Sequence, residues 1–552
     1  MRQKSVDGRD FGRVWVVVLV GALIAACLVY AFAQTRQRPR RATLPAPDAP
    51  RAAAAPGETI EVRRGGDLQR ALNRARPGDT ITLEAGATFV GPFTLPKKTG
   101  DAWITIRTSA PDSSLPAENV RLTPSHAHAL PKLVSPGRNE SALQTAAGAH
   151  HYRIVGVEFR PADERMEISD LVKLGDGSRA QDTPDKVPHH LVIDRCYLHA
   201  FPTQSAKRGI ALNSGATEIL NSHLSDFKAQ GQDSQAIGGW NGPGPYKIIN
   251  NYLEAAGENV MFGGAAGGLT GVIPSDIEVR RNHFSKPLRW KAGAAGFTTQ
   301  WSIKNIFELK NARRVLIEGN LFEHNWLESQ SGYAIVLTVR GDSGPQATIE
   351  DVVFRHNIVR GTSSAFNILG QDTLNPSGQG KNVEISNNLF EDIDGERWGG
   401  SGEFMKISDM PGTVVRHNTI VQTGNIITAY GTPSPGFVFA DNIAWHNDYG
   451  IIGDSRAPGL STIDTYFPRA LIRNNLIIGA NADRYPTGNL YPAQFSKQNF
   501  ADRARGNYRL AASSPYRGRG TDGRDPGCDF DALEAATAGV AAVVNAPSPS
   551  SR

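Results

Sequence analysis

One short phrase recurs eight times in this 552-residue chain. It consists of an apolar pair rich in β-branched residues, two bend residues of which the second is Asn, and two further, mostly apolar residues. The eight asparagines are 24 to 38 residues apart: Asn251, Asn282, Asn320, Asn357, Asn388, Asn418, Asn442 and Asn475. A period of this size with unequal spacing is typical of a solenoid, in which coils stack and extra residues enter loops on one side.

The phrase predicts a strand, a two-residue bend and a second strand. The bend requires a residue in the left-handed conformation, which Asn tolerates, and stacked Asn side chains can form a hydrogen-bonded ladder. Three upstream segments fit the same frame and place Val157, Cys196 and Ser222 at the ladder position. We therefore expect the array to start near residue 150 and to contain about eleven coils.

The eight phrases, from YKIINNYL to ALIRNNLI, resemble the coils of right-handed parallel β-helix proteins of the pectate-lyase-like class. The resemblance covers roughly residues 58 to 530. It implies an all-β chain that forms a single-domain right-handed parallel β-helix. The L-x-x-L-x-L spacing of leucine-rich repeats, the nearest competing solenoid, does not recur.

The ends of the chain divide it further. Residues 14–33 are uncharged and largely apolar and follow four basic residues, so segment 1–33 is predicted to be a transmembrane anchor or a signal peptide cleaved after Ala33. Residues 34–57 read as a linker rich in Pro, Ala and Arg, residues 58–534 as the β-helix, and residues 535–552 as a low-complexity tail. We expect a body outside the cytoplasm, either tethered to the membrane or secreted.

Charge argues against nucleic acid as a partner. The net charge is +5, but residues 1–57 carry +6, which leaves −1 for the remainder. A basic surface of the kind that binds nucleic acid is therefore not expected on the body. We expect a monomer.

The first part of the body, GGDLQRALNRARPGDTITLEAGATFVGPFTL, predicts a short helix that caps the open end of the core with Leu68, Ala71, Leu72 and Ala75. This stretch also resembles the opening of β-helix lyases that act on alginate and dermatan-type polysaccharides. The last part, from Tyr508 to Leu533, is predicted to form a closing coil.

Each coil has a third strand before the Asn phrase, and in the enzymes resembled its outer face forms the polysaccharide groove. Because side chains alternate along a strand, Phe307 and Leu309 inside put Glu308 and Lys310 outside. By the same reasoning four further residues face outward: Thr338, Arg340, Asn367 and Lys406. Lys173 lies on the same face, far upstream.

This set suits β-elimination on a uronate polymer, which needs a cation to neutralise the carboxylate and a base to remove the neighbouring proton. We assign Lys310 as base, Arg340 as the clamp on the carboxylate, and Glu308 as the group that orients them or binds a cation. The order FELKNARRVLIEGNLF loosely resembles the lyase pattern, which has two glutamates as calcium ligands. Here Glu308 is in place and Glu258 on the preceding coil is the second candidate, so calcium is a candidate cofactor.

The longest insertions flank this region and carry aromatic residues. Trp301, Trp326 and Tyr333 are candidates for stacking on sugar rings, together with Asn367 and Lys406 as substrate-binding residues. The alternative is that the loop aromatics clamp the side of the solenoid. Two histidine pairs, at residues 150–151 and 189–190, lack the H-x-x-x-H spacing and companion Cys of a zinc site, so the sequence predicts no zinc site there.

Three functions remain open from the sequence. The first is a lyase acting on an acidic polysaccharide. The second is a surface protein that holds glycan without cleaving it, in which case the outward charges only solubilise the sheet. The third is a glycoside hydrolase, with Glu308 and either Glu258 or Asp409 as the paired carboxyl groups.

Overall fold

The computed structural model describes residues 57–137, 139–494 and 499–541. Most strands in these residues belong to three parallel sheets of 14, 13 and 12 strands, called here sheets A, B and C. The chain passes through the sheets in the order A, B, C and then returns to A one coil further on. This topology fits the predicted right-handed parallel β-helix, and the described residues form somewhat more coils than the eleven expected.

Sheet A contains the strand that leads into each Asn bend. Its strands are Thr59–Val62, Thr80–Leu83, Ile104–Thr108, His150–Val155, His189–Asp194, Gly215–Leu220, Tyr246–Ile249, Ser275–Arg280, Ala312–Glu318, Ile349–Arg355, Lys381–Ser386, Val414–Arg416, Val438–Ala440 and Leu471–Arg473.

Sheet B contains the strand that leaves each bend. Its strands are Thr88–Val90, Lys132–Ser135, Glu158–Pro161, Tyr197–His199, His223–Phe227, Tyr252–Ala255, His283–Ser285, Leu321–Asn325, Ile358–Thr362, Leu389–Ile393, Thr419–Gln422, Ile443–Trp445 and Leu476–Ile478.

Sheet C contains the predicted third strand of each coil. Its strands are Phe93–Leu95, Leu143–Thr145, Ile168–Leu174, Ala206–Leu212, Gln235–Gly239, Glu258–Phe262, Phe307–Leu309, Tyr333–Thr338, Ser364–Leu369, Met405–Ser408, Ile427–Ala429 and Ile451–Gly453.

Helices in the described residues are few and short. The α-helices are Leu68–Arg74, Gly395–Trp398, Leu460–Tyr466 and Phe530–Thr537. The 3-10 turns are Asp112–Ser114, Pro124–Ala129, Pro184–Lys186, Leu288–Trp290, Gly341–Ser343, Ala482–Arg484 and Arg503–Arg505. None of these helices has the length and apolar composition needed to cross a bilayer. The predicted anchor at residues 14–33 and the linker lie outside the described residues, and the boundaries at residues 33, 57 and 534 stay predictions.

The predicted asparagine ladder is present along the whole repeat. In each step one Asn side-chain oxygen accepts hydrogen bonds from the backbone N–H and the side-chain amide of the preceding ladder Asn. For Asn320 and Asn357 both distances are 2.9 Å. The ladder runs from Asn251 to Asn475 and gains one step that the repeat did not predict, at Asn489. Upstream, Ser222 and Cys196 continue it with backbone N–H groups as donors.

The left-handed residue of each bend is the one before the ladder Asn rather than the Asn itself. His356 and His417 hold φ values of 52° and 50° there, and Gly319 holds 67°. A bend residue in this conformation turns the chain through the corner while the ladder side chain stays inside. The two histidines therefore occupy bend positions.

A single apolar core fills the space between the three sheets. The stacked phenylalanines Phe284, Phe322 and Phe354 continue from coil to coil with ring centroids 4.5 and 5.6 Å apart. At the first coil the helix Leu68–Arg74 buries Leu68, Ala71 and Leu72 against this core, as predicted for a cap. Capping is needed because an open solenoid end exposes apolar side chains and unpaired strand edges.

The last part of the chain does not form the predicted closing coil. Phe500–Asp502 and Asn507–Leu510 form an antiparallel hairpin, and the chain then returns along the outside of the bends. The N–H of Gly527 donates to the carbonyl of Asp441, and Arg281 donates to the carbonyls of Ala536 and Ala538. The helix Phe530–Thr537 also extends three residues beyond the predicted boundary at 534. The returning segment is thus held against the bends by both backbone and side-chain hydrogen bonds.

Candidate functional site

The outer side of sheet C carries one continuous row of aligned residues, called here the floor row. Strand register places them side by side on successive coils: Gln144, Lys173, Ala211, Gly238, Met261, Glu308, Val336, Asn367, Lys406 and Thr428. Neighbouring positions are about 4.8 Å apart, the spacing of strands in a sheet. The outer side of sheet C, which alternation along the strands predicted, thus carries Lys173, Glu308, Asn367 and Lys406.

Glu308 lies in a buried acidic cluster in the middle of this row. Its Oε2 accepts a hydrogen bond of 3.0 Å from Asn305, and its Oε1 lies 3.7 Å from Nζ of Lys310. On the preceding coil, Oε2 of Glu258 accepts a hydrogen bond of 2.7 Å from Gln235. The other oxygen of Glu258 receives no hydrogen bond from residues within the described ranges and lies 4.0 Å from Nζ of Lys304.

Burial changes the acidity of this cluster. Desolvation, and then the neighbouring charge of Glu258, raise the pKa of Glu308 to about 7. A carboxyl group with such a pKa is partly protonated near neutral pH, so it can donate as well as accept a proton.

Lys310 and Arg340 lie next to each other on successive coils. The backbone N–H of Arg340 donates a hydrogen bond of 3.1 Å to the carbonyl of Lys310. Lys310 extends over Gly264, where an added Cβ would lie 2.6 Å from Cδ of the lysine, so the glycine leaves room for that side chain. On the other side, Nη1 of Arg340 lies 4.0 Å from Asp372. Lys310 thus lies on the outer side of the sheet beside Glu308 rather than in the core.

Two cations flank a tyrosine on the downstream coils. Nζ of Lys406 lies 4.9 Å from the ring centroid of Tyr430, and burial raises the pKa of Tyr430 while the charge of Arg340 opposes that rise. Asn367 lies between Val336 and Lys406 in the floor row. Its side-chain oxygen is buried and has no hydrogen-bond partner in the part of the chain that the structure describes. Arg340, Lys406 and Asn367 therefore present two positive charges and a free acceptor close together.

The predicted aromatic platform is wrong for two of its members. Trp301 and Trp326 are only 5 % and 4 % exposed and pack with Trp290, Ile303 and Trp398 in a cluster outside the main core. Their insertions fold back on the solenoid, where burial of large apolar rings is favourable. The alternative reading of these residues, as clamps, is the one that the structure supports.

Tyr333 also does not offer an open ring to a sugar. It is 6 % exposed, and its hydroxyl donates a hydrogen bond to Glu403, which also accepts from Ser401 and Thr428. Tyr333 is the first residue of the sheet C strand one coil after the strand of Glu308. Its ring therefore packs in the wall of the site and does not provide a stacking surface.

The residues around Glu308 and Glu258 do not fit a calcium site. Calcium takes about six to eight oxygen ligands. Two carboxylates are present, but Nζ of Lys304 lies 4.0 Å from Glu258 and Nζ of Lys310 lies 3.7 Å from Glu308. Both ammonium groups would repel a cation. In the described part of the chain no third acidic or histidine side chain joins them within ligand distance. The positive charges available at this site are therefore those of its basic side chains.

A separate cavity of 380 Å³ lies upstream on the same face. The floor residues Gln144, Lys173 and Ala211 line it, together with Asp170 and Trp240. Its polar wall is ordered by Arg208, which pairs with Asp170 at 2.5 Å and stacks 4.8 Å over Trp240. The floor row thus connects a cavity around Lys173 with the charged cluster around Lys310.

Sequence reasoning missed several members of this site. Tyr430, Gln235, Lys304 and Asn305 all contact or approach the predicted residues. For Tyr430 a signal existed, because it follows Thr428 by two positions and so shares its outward parity. For Lys304 and Asn305 no signal existed, since they lie in an insertion before the strand and have no repeat position.

No protein-family model matches the chain, and no curated protein matches its sequence. Similar solved structures include the PL6 family alginate lyase AlyGC, with TM-score 0.49 and 13 % identity, covering 84 % of this chain and 58 % of that one. Another is the catalytic unit of a GH87 α-1,3-glucanase from Streptomyces thermodiastaticus, with TM-score 0.49 and 12 % identity, covering 78 % and 70 %. A third is a PL6 alginate lyase in complex with a trisaccharide, with TM-score 0.43 and 10 % identity, covering 81 % and 90 %.

These structural similarities concern the fold and do not indicate an activity. The three parallel sheets of the chain itself confirm the parallel β-helix that the predicted resemblance implied. One fold hosts many activities, so the site must carry the functional argument. The chain spans 58 % of the length of the alginate lyase AlyGC.

Proposed function

We propose that this protein binds an acidic, uronate-containing polysaccharide along the floor row and cleaves it by β-elimination. The observation that carries the proposal is the position of Lys310 and Arg340. They lie on adjacent coils, joined through the backbone, beside the row that contains Glu308, Asn367 and Lys406. A base and a carboxylate-binding cation on neighbouring coils are what proton abstraction next to a carboxylate requires.

Each residue has a defined part in the reaction. Arg340 binds the uronate carboxylate and stabilises the negative charge that develops as the C5 proton leaves, and Lys406 adds a second positive charge nearby. Lys310, in its neutral form, takes that proton. The C4–O bond then breaks and a C4–C5 double bond forms. The departing oxygen takes up a proton from water, and Lys310 returns its proton to solvent.

Glu308 positions the base and tunes it. When ionised, it places a negative charge 3.7 Å from Nζ of Lys310; when protonated, it does not. Because the pKa of Glu308 is raised to about 7, both forms are populated near neutral pH. We expect the protonated form to be the one in which Lys310 acts as a base.

The test is a product assay on the full chain. Alginate, polygalacturonate and dermatan sulfate, three polymers with different uronates, are incubated with the protein, and ultraviolet absorbance of unsaturated uronate ends is recorded over time. We expect absorbance to rise with at least one polymer. No rise with any uronate polymer would contradict the lyase proposal, and retained binding in affinity electrophoresis would then favour a protein that only holds glycan.

A glycoside hydrolase is the second candidate, and one observation favours it. Glu308 and Glu258 lie on neighbouring coils, and the pKa of Glu308 is raised as a general acid requires. Asp409 is not a suitable partner, because it follows a strand three coils further on, at about 14 Å by the spacing of strands. Hydrolysis would produce new reducing ends without ultraviolet absorbance, which separates it from elimination.

We also propose that the body works outside the cytoplasm as a monomer, held at the membrane by residues 14–33 or released by cleavage after Ala33. The support is the uncharged apolar segment, with its basic residues before it and the A-x-A pattern at its end. Fractionation of expressing cells, with mass spectrometry of the mature amino terminus, tests this. Recovery of the intact chain in the cytosol would contradict it.

A further inference from the structure

Two pairs of histidines that are far apart in sequence lie side by side on two neighbouring coils. His150 and His151 begin one strand of sheet A, and His189 and His190 begin the next. Register pairs His189 with His150, and the rings stack in two columns. The centroids of His150 and His189 are 5.0 Å apart, and those of His151 and His190 are 4.6 Å apart.

Within each pair the rings face each other through the same atom. Nδ1 of His150 lies 2.8 Å from Nδ1 of His151, and the corresponding distance between His189 and His190 is 2.6 Å. Only one nitrogen of each facing pair can carry a hydrogen, and the other accepts it; the neutral ring that donates through Nδ1 keeps a free lone pair on its Nε2. Each pair thus leaves a free imidazole lone pair, and closure of the rings around an ion would replace the Nδ1–Nδ1 hydrogen bond of a pair in which both members bind it.

The backbone does not explain these residues. His151 and His190 hold left-handed φ values of 59° and 52°, but the same position is left-handed in other coils, at Ala216, Asp276 and Arg314. The turn therefore needs no histidine. What is specific to the two coils is the side chains.

Other coils fill these positions with pairs of opposite charge or complementary amides. Arg314 donates two hydrogen bonds of 2.7 Å to Asp276, and Asn382 donates one of 2.9 Å to Asp351. The histidine coils place four like side chains there, and all four are partly accessible to solvent. Their nearest other neighbours are Trp103, which contacts His151 edge-on at 5.2 Å, and the charges of Asp101 and Lys97.

We propose that His151, His189 and His190 bind one divalent transition-metal ion of the zinc class. Ligand atoms of these three residues all lie within 4.8 Å of one another, and in the described ranges they are the one set of three or more such residues that does so. Metal–nitrogen bonds of about 2.0–2.1 Å bring ligand atoms in a tetrahedral site to about 3.4 Å, so the partly exposed rings must close slightly around the ion.

The donor set defines the class of ion. Imidazole nitrogens bind zinc, copper and nickel well, whereas calcium and magnesium require oxygen ligands. Three protein ligands leave a fourth position for water or a substrate atom. His150, in contact with Nδ1 of His151, acts as a positioning residue that orients that ring.

Metal titration of the full chain, purified without a histidine tag and stripped with chelator, tests the proposal. Zn²⁺ binding is followed by calorimetry, and Co²⁺ binding by its visible absorption. We expect one ion per chain and a cobalt spectrum typical of nitrogen ligands. Absence of a site with one ion per chain would overturn the proposal.

A matched set of variants locates the ion. The double change His151→Asn with His190→Asn keeps residues that tolerate the left-handed backbone, and we expect it to weaken Zn²⁺ binding more than about 100-fold. His128→Ala removes an exposed histidine elsewhere and should leave binding unchanged. Equal binding by the double variant and the wild type would place the ion elsewhere and refute the site.

Folding is controlled separately. Circular dichroism and thermal unfolding in chelator should be the same for wild type and the double variant. If the double variant does not fold, the single change His189→Ala replaces it, with an expected loss of about tenfold or more and an altered cobalt spectrum. An unchanged affinity and spectrum in that variant would contradict the proposal.

Discussion

The inside of the Asn bend and the outer side of sheet C are built on the same coils but follow opposite rules. At the bend the same residue recurs from Asn251 to Asn475, fully buried, with each step linked at about the hydrogen-bond distance of 2.9 to 3.2 Å. Along the floor row no two neighbouring positions hold the same residue. Repetition marks the residues that hold the coils together, and variation marks the place where coils can differ in chemistry.

The energetic reason lies in what each residue must satisfy. A ladder Asn supplies an acceptor and donors to buried groups on the next coils, and any coil that lacks them leaves polar atoms unpaired. A floor residue has one side toward solvent or substrate and is free to change. Breaking the ladder should therefore affect stability, and changing the floor should affect activity.

The largest stability effect is expected in the middle of the ladder. Asn357→Leu removes the acceptor of two hydrogen bonds from Asn320 and the donors to Asn388 and Ile317, which should cost about 3–5 kcal/mol of unfolding free energy. Asn357→Ser keeps an acceptor, as Ser222 does for Cys196, and should cost about half as much. Chemical denaturation measures both, and equal costs would contradict the ladder account.

The tryptophan cluster should come next. Trp326→Ala opens a space between Trp290, Trp301 and Trp398 and should lower the unfolding free energy by about 3 kcal/mol. The neighbouring change Leu327→Ala, at a residue that is 50 % exposed, should cost under about 1 kcal/mol. Weaker binding of polysaccharide by Trp326→Ala, with stability intact, would restore the discarded sugar platform.

A pH-dependent effect of intermediate size is expected at Glu308. Its folded pKa is raised to about 7 from an ordinary value of 4.5, so the folded state holds the proton more tightly and loses stability as pH rises between these values. Glu308→Gln stays neutral, so its unfolding free energy should rise relative to that of the wild type by on the order of 1–3 kcal/mol across that window. Thermal unfolding at pH 5 and pH 8 measures the difference, and an equal difference at both values would refute it.

The smallest effect is expected at Asn367. Its buried side-chain oxygen lacks a hydrogen-bond partner among the described residues, and we expect a substrate hydroxyl to donate to it. Asn367→Ala should raise KM by about tenfold, the worth of one hydrogen bond, and should leave kcat and thermal unfolding nearly unchanged. Asn73→Ala, on the exposed side of the capping helix, is the control. A fall in kcat with constant KM would assign Asn367 to the transition state instead.

The sequence predicted the parts of this molecule that repeat. The period located the coils, and alternation around Phe307 and Leu309 put Glu308 and Lys310 on the outer side. It failed where a residue's neighbours are set by loops that do not repeat. Trp301 and Trp326 lie in insertions, and nothing local indicates that such a loop folds back against the solenoid.

The histidine quartet shows a different limit. Zinc motifs are usually sought at short spacings, such as two histidines on one helix. In a solenoid the relevant spacing is one coil, here the 39 residues from His150 to His189, which only the strand register reveals. Pairing residues one coil apart is therefore the better search in a repeat of this kind.

The separation of folding from chemistry can be tested most directly at Lys310. The kcat/KM of Lys310→Ala on the best uronate polymer, followed by ultraviolet absorbance, is compared with that of Lys381→Ala, an exposed lysine of sheet A paired with Glu350. We expect a fall of about 10²–10⁴-fold for Lys310→Ala alone, with the unfolding midpoint of both variants unchanged. Activity of Lys310→Ala equal to that of Lys381→Ala would contradict the account.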